Sequence, residues 1–159
     1  MEPIEITIAN FLRQWGLKLA VAESCTGGLV ADRITDLPGS SEYFLGGMVA
    51  YSYEAKVTLL HVSWDTLRQY GAVSRETVIE MARGARTVLG ADVALSVSGI
   101  AGPGGGMPGK PIGYTWFGLS ALEGDYARNF TWDGDRRANK QASADAALQF
   151  LLDYLQKSA

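Results

Sequence analysis

The chain has 159 residues, 47% hydrophobic and 19% charged, with a formal net charge of −3. That length and balance predict one domain over residues 1–159 with enough apolar material for a core. Nucleic acid is excluded as a main partner, because no run of Lys or Arg could track a phosphate backbone. One cysteine, Cys25, excludes an intramolecular disulfide and fits a reducing cytoplasm; with the one histidine, His61, it leaves no His/Cys metal cluster. No apolar run reaches the length of a membrane span, and the start "MEPIE" carries acids where a signal peptide carries bases. The expectation is a cytoplasmic protein with no membrane partner.

In chain order, Ile4, Ile8, Phe11 and Leu12 recur at helical spacing, and Gly16 ends that helix. "LKLAVAES" is short and apolar, like a buried strand. It runs into "CTGGLVADRITDLPG", where Thr26 reads as a helix cap, Leu29, Val30, Ile34 and Leu37 as a stripe, and Pro38-Gly39 as a stop. "YFLGGMVAYSY" reads as a strand, "YEAKVTLLHV" as a helical turn or two, and "SWDTLRQYG" as a helix capped by Ser63. Ser74 caps the clearest helix, whose apolar face is Val78, Met81, Ala82, Ala85 and Leu89. "DVALSVSG" is a buried strand, "IAGPGGGMPGKP" a turn-rich loop, and "IGYTWFGLSA" with "DYARNFTW" a hairpin about Glu123-Gly124-Asp125. A last helix packs through Ala147, Leu148, Leu151 and Leu155. Alternating strands and helices predict an α/β fold, a mostly parallel sheet covered on both faces with one antiparallel hairpin.

Three constellations bear on chemistry. Gly104, Gly106 and Gly109 spell G-x-G-x-x-G, but prolines interrupt the loop and a strand follows, so a dinucleotide fingerprint is not indicated. In "AESCTGG" a strand gives way to a helix: an anion pocket built from the helix start with Ser24, Thr26, Gly27 and Gly28, or a plain capped turn, explains the letters equally. Cys25 is a buried structural thiol or a low-pKa thiolate. In "PGSSEYFLGGMVAYSYEAK", Ser41 and Lys56 are a nucleophile and its base, or a loop serine and a solvated lysine. Spacing does not separate these readings.

Taken together, "AESCTGG", "PGSSEYFLGGMVAYSYEAK", "YGAVSRETVIEMARGA", "SVSGIAGPGGG", "KPIGYTWFGLS" and "GDR" resemble the CinA C-terminal domain family, whose enzymes are nicotinamide-nucleotide amidohydrolases. The resemblance spans roughly residues 5–155. It implies a three-layer α/β/α sandwich with a mixed sheet, in the stand-alone form without the molybdopterin-binding-like domain of many members. It implies hydrolysis of nicotinamide mononucleotide to nicotinate mononucleotide and ammonia through an acyl-enzyme, without metal or cofactor. Aligned on it, Ser41 is the nucleophile, Lys56 its base and Tyr51 an active-site tyrosine. The hydroxyls of Ser24 and Thr26, with Gly27, Gly28 and Arg136, fall on the phosphate side, and Gly47, Ser98 and Gly99 near the oxyanion. Ser98 stands where the family has threonine, and Lys140 where it often has a second arginine. A homo-oligomer, most simply a dimer, is expected from commonness. A non-catalytic nucleotide-binding module and an amidase for another small substrate are the rival readings.

Overall fold

The computed structural model describes residues 1–158. Its elements run α1 (Ile4–Trp15), β1 (Leu19–Glu23), α2 (Leu29–Thr35), a 3-10 turn (Ser40–Glu42), β2 (Phe44–Val49), α3 (Tyr53–Leu60), α4 (Trp64–Tyr70), α5 (Arg75–Leu89), β3 (Val93–Gly99), β4 (Tyr114–Ala121), β5 (Gly124–Thr131) and α6 (Arg136–Lys157). The caps read at Gly16, Ser63 and Ser74 hold, whereas Thr26 does not cap α2. Ser63 accepts from Asp65 N and Ser74 from Thr77 N, and Gly16 and Gly90 close their helices in the left-handed conformation. Among the described residues, no helix is long and apolar enough to cross a membrane.

The sheet order is β2-β1-β3-β4-β5. β1 pairs in parallel with β2 and β3, while β3–β4 and β4–β5 are antiparallel. The sheet is therefore evenly mixed rather than mostly parallel. The hairpin expected between β4 and β5 is present, and β4 also returns antiparallel beside β3, because the loop between them carries no crossover helix.

Side-chain alternation along β1 sorts the two faces. Leu19 and Val21 join α1, α2 and α6 in one core; Ala20 and Ala22 meet α3, α4 and α5 in the other. The second face is built from small residues, which lets α5 lie close. A Cβ on Gly84 of α5 would stand 1.9 Å from the Leu60 carbonyl oxygen, and one on Gly118 of β4 would stand 2.4 Å from that of Val78.

From β1 the chain crosses one face through α2 to reach β2. From β2 it returns across the other face through α3, α4 and α5 to β3, on the opposite side of β1. The connections diverge at the carboxyl end of β1. A crevice opens there, at the switch point where ligands of open α/β sheets bind.

Candidate active site

Ser24 directly follows β1 at this switch point. Its backbone N–H donates to Val97 O of β3 at 3.0 Å, and Ala50 N, just past β2, donates to Glu23 O at 2.8 Å. Three strand ends are thus tied together around it. Lys56 comes from the first turn of α3, which Ser52 caps by accepting from Ala55 N at 3.0 Å. Side chains of a helix lean toward its N-terminus, so Lys56 points back at the end of β2.

Only 1% of Lys56 is exposed. Its ammonium has three protons and finds three acceptors: Ser24 Oγ at 3.0 Å, Ala50 O at 2.9 Å and Tyr51 O at 3.1 Å. Burial disfavours the charged form and draws the lysine from its ordinary 10.5 down to about 8. The loss of that proton rearranges little. A neutral amine keeps two N–H bonds to the two carbonyls and turns its lone pair on the Ser24 hydroxyl, which then donates. The two carbonyls fix the amine's rotation, and the serine lies in the remaining direction.

The dyad expected between Ser41 and Lys56 is not formed. Ser41 is exposed on the 3-10 turn before β2, whereas Lys56 bonds the carbonyl just after β2. The six residues of β2 rise about 3.3 Å each, which puts roughly 20 Å between those ends. The strand is shorter than the sequence suggests, and Tyr51 lies beyond it. Gly47 is also outside the site. It pairs with Val21 in mid-strand, where a Cβ would sit 2.5 Å from Val21 Cγ2, so it permits close strand packing. Ser98 and Gly99 do fall beside Ser24, at the end of β3.

The helix start after Ser24 differs from expectation too. α2 begins at Leu29 rather than after Thr26, and Gly28 precedes it without a side-chain cap. Its N–H groups face a carboxylate of the protein itself. The buried Glu23 accepts from Gly28 N at 3.2 Å, Val30 N at 3.0 Å, Ala31 N at 3.0 Å and Thr26 Oγ1 at 2.5 Å. The anion pocket suggested by "CTGG" is therefore already filled, and the Thr26 hydroxyl is spent on filling it. Glu23 is the residue that sequence reasoning missed. Its signal was a carboxylate closing an apolar strand, a position that demands partners. Burial pushes the Cys25 thiol up to about 12, so it stays protonated and is not a nucleophile at neutral pH.

Beside Thr26 a cleft of about 630 Å³ opens, walled by Thr26, Gly27 and Gly28 on one side and Arg136, Arg137 and Lys140 of α6 on the other. Only Asp32 among its lining side chains is acidic, so the cleft is cationic in a chain that is net negative. Arg136 joins the cleft to the dyad. Its Nη1 donates to Gly102 O at 2.9 Å and its Nη2 to the Tyr51 hydroxyl at 3.1 Å, while the Tyr51 carbonyl holds Lys56.

Fold and site together define an α/β/α protein with a buried serine–lysine pair at a sheet switch point, next to a cationic cleft. A family model of the CinA C-terminal domain matches residues 1–155, and the chain belongs to that family. It is 47% identical over 150 residues to a CinA-like protein of Geotalea uraniireducens, covering 94% of this chain and 36% of the relative. It is 46% identical over 160 residues to another from Chloroherpeton thalassium, covering 98% and 38%. The chain thus spans little more than a third of the length of these curated relatives. Among solved structures it is similar to a CinA superfamily protein of Klebsiella pneumoniae, with TM-score 0.93, 34% identity and 97% and 96% of the two chains covered. The competence/damage-inducible protein CihA of Agrobacterium tumefaciens superposes with TM-score 0.89 at 37% identity, covering 98% of each chain.

Proposed function

We propose that the protein is an amide hydrolase acting on a small phosphate-bearing carboxamide, nicotinamide mononucleotide by family resemblance, with Ser24 as nucleophile and Lys56 as its base. The observation that carries this reading is a lysine buried at 1% exposure whose amine, outside two backbone carbonyls, has Ser24 Oγ as its partner. A lysine serves as general base only when desolvation lowers its pKa toward the working pH, and this one stands at about 8.

Neutral Lys56 takes the Ser24 proton as Oγ bonds to the carboxamide carbon. The developing oxyanion needs preorganised donors. The N–H groups of Cys25 and Thr26, which donate to no backbone carbonyl among the described residues, follow the nucleophile directly. The Lys56 ammonium then gives its proton to the departing nitrogen, and the C–N bond breaks to release ammonia and leave a Ser24 ester. Water, deprotonated by the same amine, cleaves the ester to nicotinate mononucleotide and restores Ser24. The cations Arg137 and Lys140, with the free edge of Arg136, suit the phosphate. Tyr51, whose hydroxyl accepts from Arg136 and whose carbonyl accepts from Lys56, links the phosphate cations to the dyad.

The test is ammonia release from nicotinamide mononucleotide by purified wild type, Ser24→Ala, Lys56→Ala and Ser41→Ala. Loss of at least a thousandfold in the first two variants, with Ser41→Ala active, is the expected result. A folded Ser24→Ala protein with wild-type turnover overturns the assignment. Binding of the nucleotide without any ammonia release by wild type turns the reading into that of a binding module.

A further inference from the structure

Glu23 takes no part in the proton transfers above, yet it is buried next to the nucleophile. A buried carboxylate is costly unless its oxygens are well bonded, and this one accepts four hydrogen bonds, from Thr26, Gly28, Val30 and Ala31. Three of these donors, Gly28, Val30 and Ala31, lie beyond the Ser24–Gly27 turn, and the fourth, Thr26, lies within it. The main chain of Glu23, by contrast, is fixed in the sheet. It is in register with Val97 and Val49, and its carbonyl accepts from Ala50 N. One residue therefore grips both ends of the turn that carries Ser24, by its backbone in β1 and by its side chain in α2. The turn is tight, with Gly27 N donating to Ser24 O at 3.1 Å, and Gly27 and Gly28 at φ 60° and 108°.

An ordinary helix cap reaches across two or three residues from just outside the helix. Glu23 spans up to eight, to Ala31, and encloses the nucleophile in the loop it closes. The other backbone donors of the turn are bound to Glu23, Ser24 or Thr26, whereas the N–H groups of Cys25 and Thr26 reach no backbone carbonyl among the described residues. We infer that Glu23 is a positioning residue, whose carboxylate ties α2 back to β1, aims Ser24 Oγ at Lys56 and leaves the Cys25 and Thr26 N–H groups for the oxyanion. This role rests on Ser24 being the nucleophile. It also means that the phosphate of the substrate is held by side chains of α6, because the α2 amides are taken.

The experiment compares wild type with Glu23→Gln, Thr26→Val and Thr26→Ser. Gln keeps the shape but turns an amide NH2 toward N–H donors, and Val removes the shortest of the four bonds. Two readouts are taken on protein shown to be folded by circular dichroism: kcat and KM for ammonia release from nicotinamide mononucleotide, and the rate of Ser24 sulfonylation by phenylmethanesulfonyl fluoride, followed by intact mass. Glu23→Gln is expected to lose at least tenfold in kcat and in sulfonylation rate with KM within threefold, since the phosphate cations lie elsewhere. Thr26→Val loses several-fold, and Thr26→Ser, which keeps the donor, restores most of that loss. Unchanged kcat and sulfonylation in folded Glu23→Gln, or equal losses in both Thr26 variants, overturn the role. If Glu23→Gln does not fold, the Thr26 pair decides alone. A wild type that is sulfonylated at Ser24 but releases no ammonia sinks the substrate and leaves the positioning role to the sulfonylation data. A wild type that does neither sinks both.

Discussion

Replacing Lys56 by Met should make the protein more stable near neutral pH and progressively lose that advantage as the pH rises. The amine is 1% exposed, and its pKa falls from 10.5 unfolded to about 8 folded. Between those two values the unfolded chain binds more protons than the folded one, so the stability of wild type rises with pH across that window. Below pH 8 the full cost of burying the charge is present, roughly 3 kcal/mol at 1.36 kcal/mol per pH unit. By pH 9.5 about 2 kcal/mol of that cost has gone, from the same linkage. Met matches the length of the lysine stem and carries no charge, but it leaves the Ala50 and Tyr51 carbonyls without their donor, which costs on the order of 1–2 kcal/mol. The net gain of Lys56→Met at pH 7 is therefore about 1–2 kcal/mol, and it vanishes or reverses by pH 9.5. Urea denaturation of both proteins from pH 7 to 9.5 measures the difference, in which titrations common to the two cancel. A difference that stays flat across this range means that Lys56 is not a desolvated amine and removes the basis of the proposed base.

The catalytic counterpart is a kcat/KM that climbs about tenfold per pH unit below pH 8 and levels above it, as the neutral fraction of Lys56 does; a flat profile from pH 6 to 9 contradicts a lysine base. Arg137→Met with Lys140→Met should raise KM for nicotinamide mononucleotide at least tenfold while leaving the rate on the phosphate-free riboside unchanged, measured by ammonia release; equal losses on both substrates would move the phosphate elsewhere. Gly84→Ala is a helix substitution that propensity alone would favour by about 1 kcal/mol. Here the new Cβ would stand 1.9 Å from the Leu60 carbonyl, so it should instead cost about 2–3 kcal/mol in urea denaturation, and a stabilised variant would show that α3 and α5 are not packed this closely.

The dyad shows where reading the chain stops. Lys56 was legible as a candidate base through the resemblance, while its spacing alone left a solvated lysine open. Its partner was not. Ser24 lies 32 positions away and Ser41 15; spacing did not decide, and alignment on the resemblance fell on Ser41. Proximity in space is set by parallel pairing, which brings like ends of β1 and β2 together and keeps the residues before β2 at the opposite end of the strands. The "CTGG" turn was legible as a helix start for anions. That the anion would be Glu23, one residue before the serine, depends on a side chain folding over a turn whose shape no local pattern specifies.

Periodicity and caps belong to the chain itself. The helices at Ile4, Ser63, Ser74 and Asp135, the buried strands and the β4–β5 hairpin arise from local spacing and local hydrogen bonds, which act over a few residues. The strand order, the even mixture of parallel and antiparallel pairs, the meeting of Ser24 with Lys56 and the placing of α6 cations beside Gly27 were decided by tertiary structure alone. Each needs contacts between segments tens of residues apart. Those contacts follow from how two apolar faces of one sheet are covered, and no single stretch of the chain holds that information.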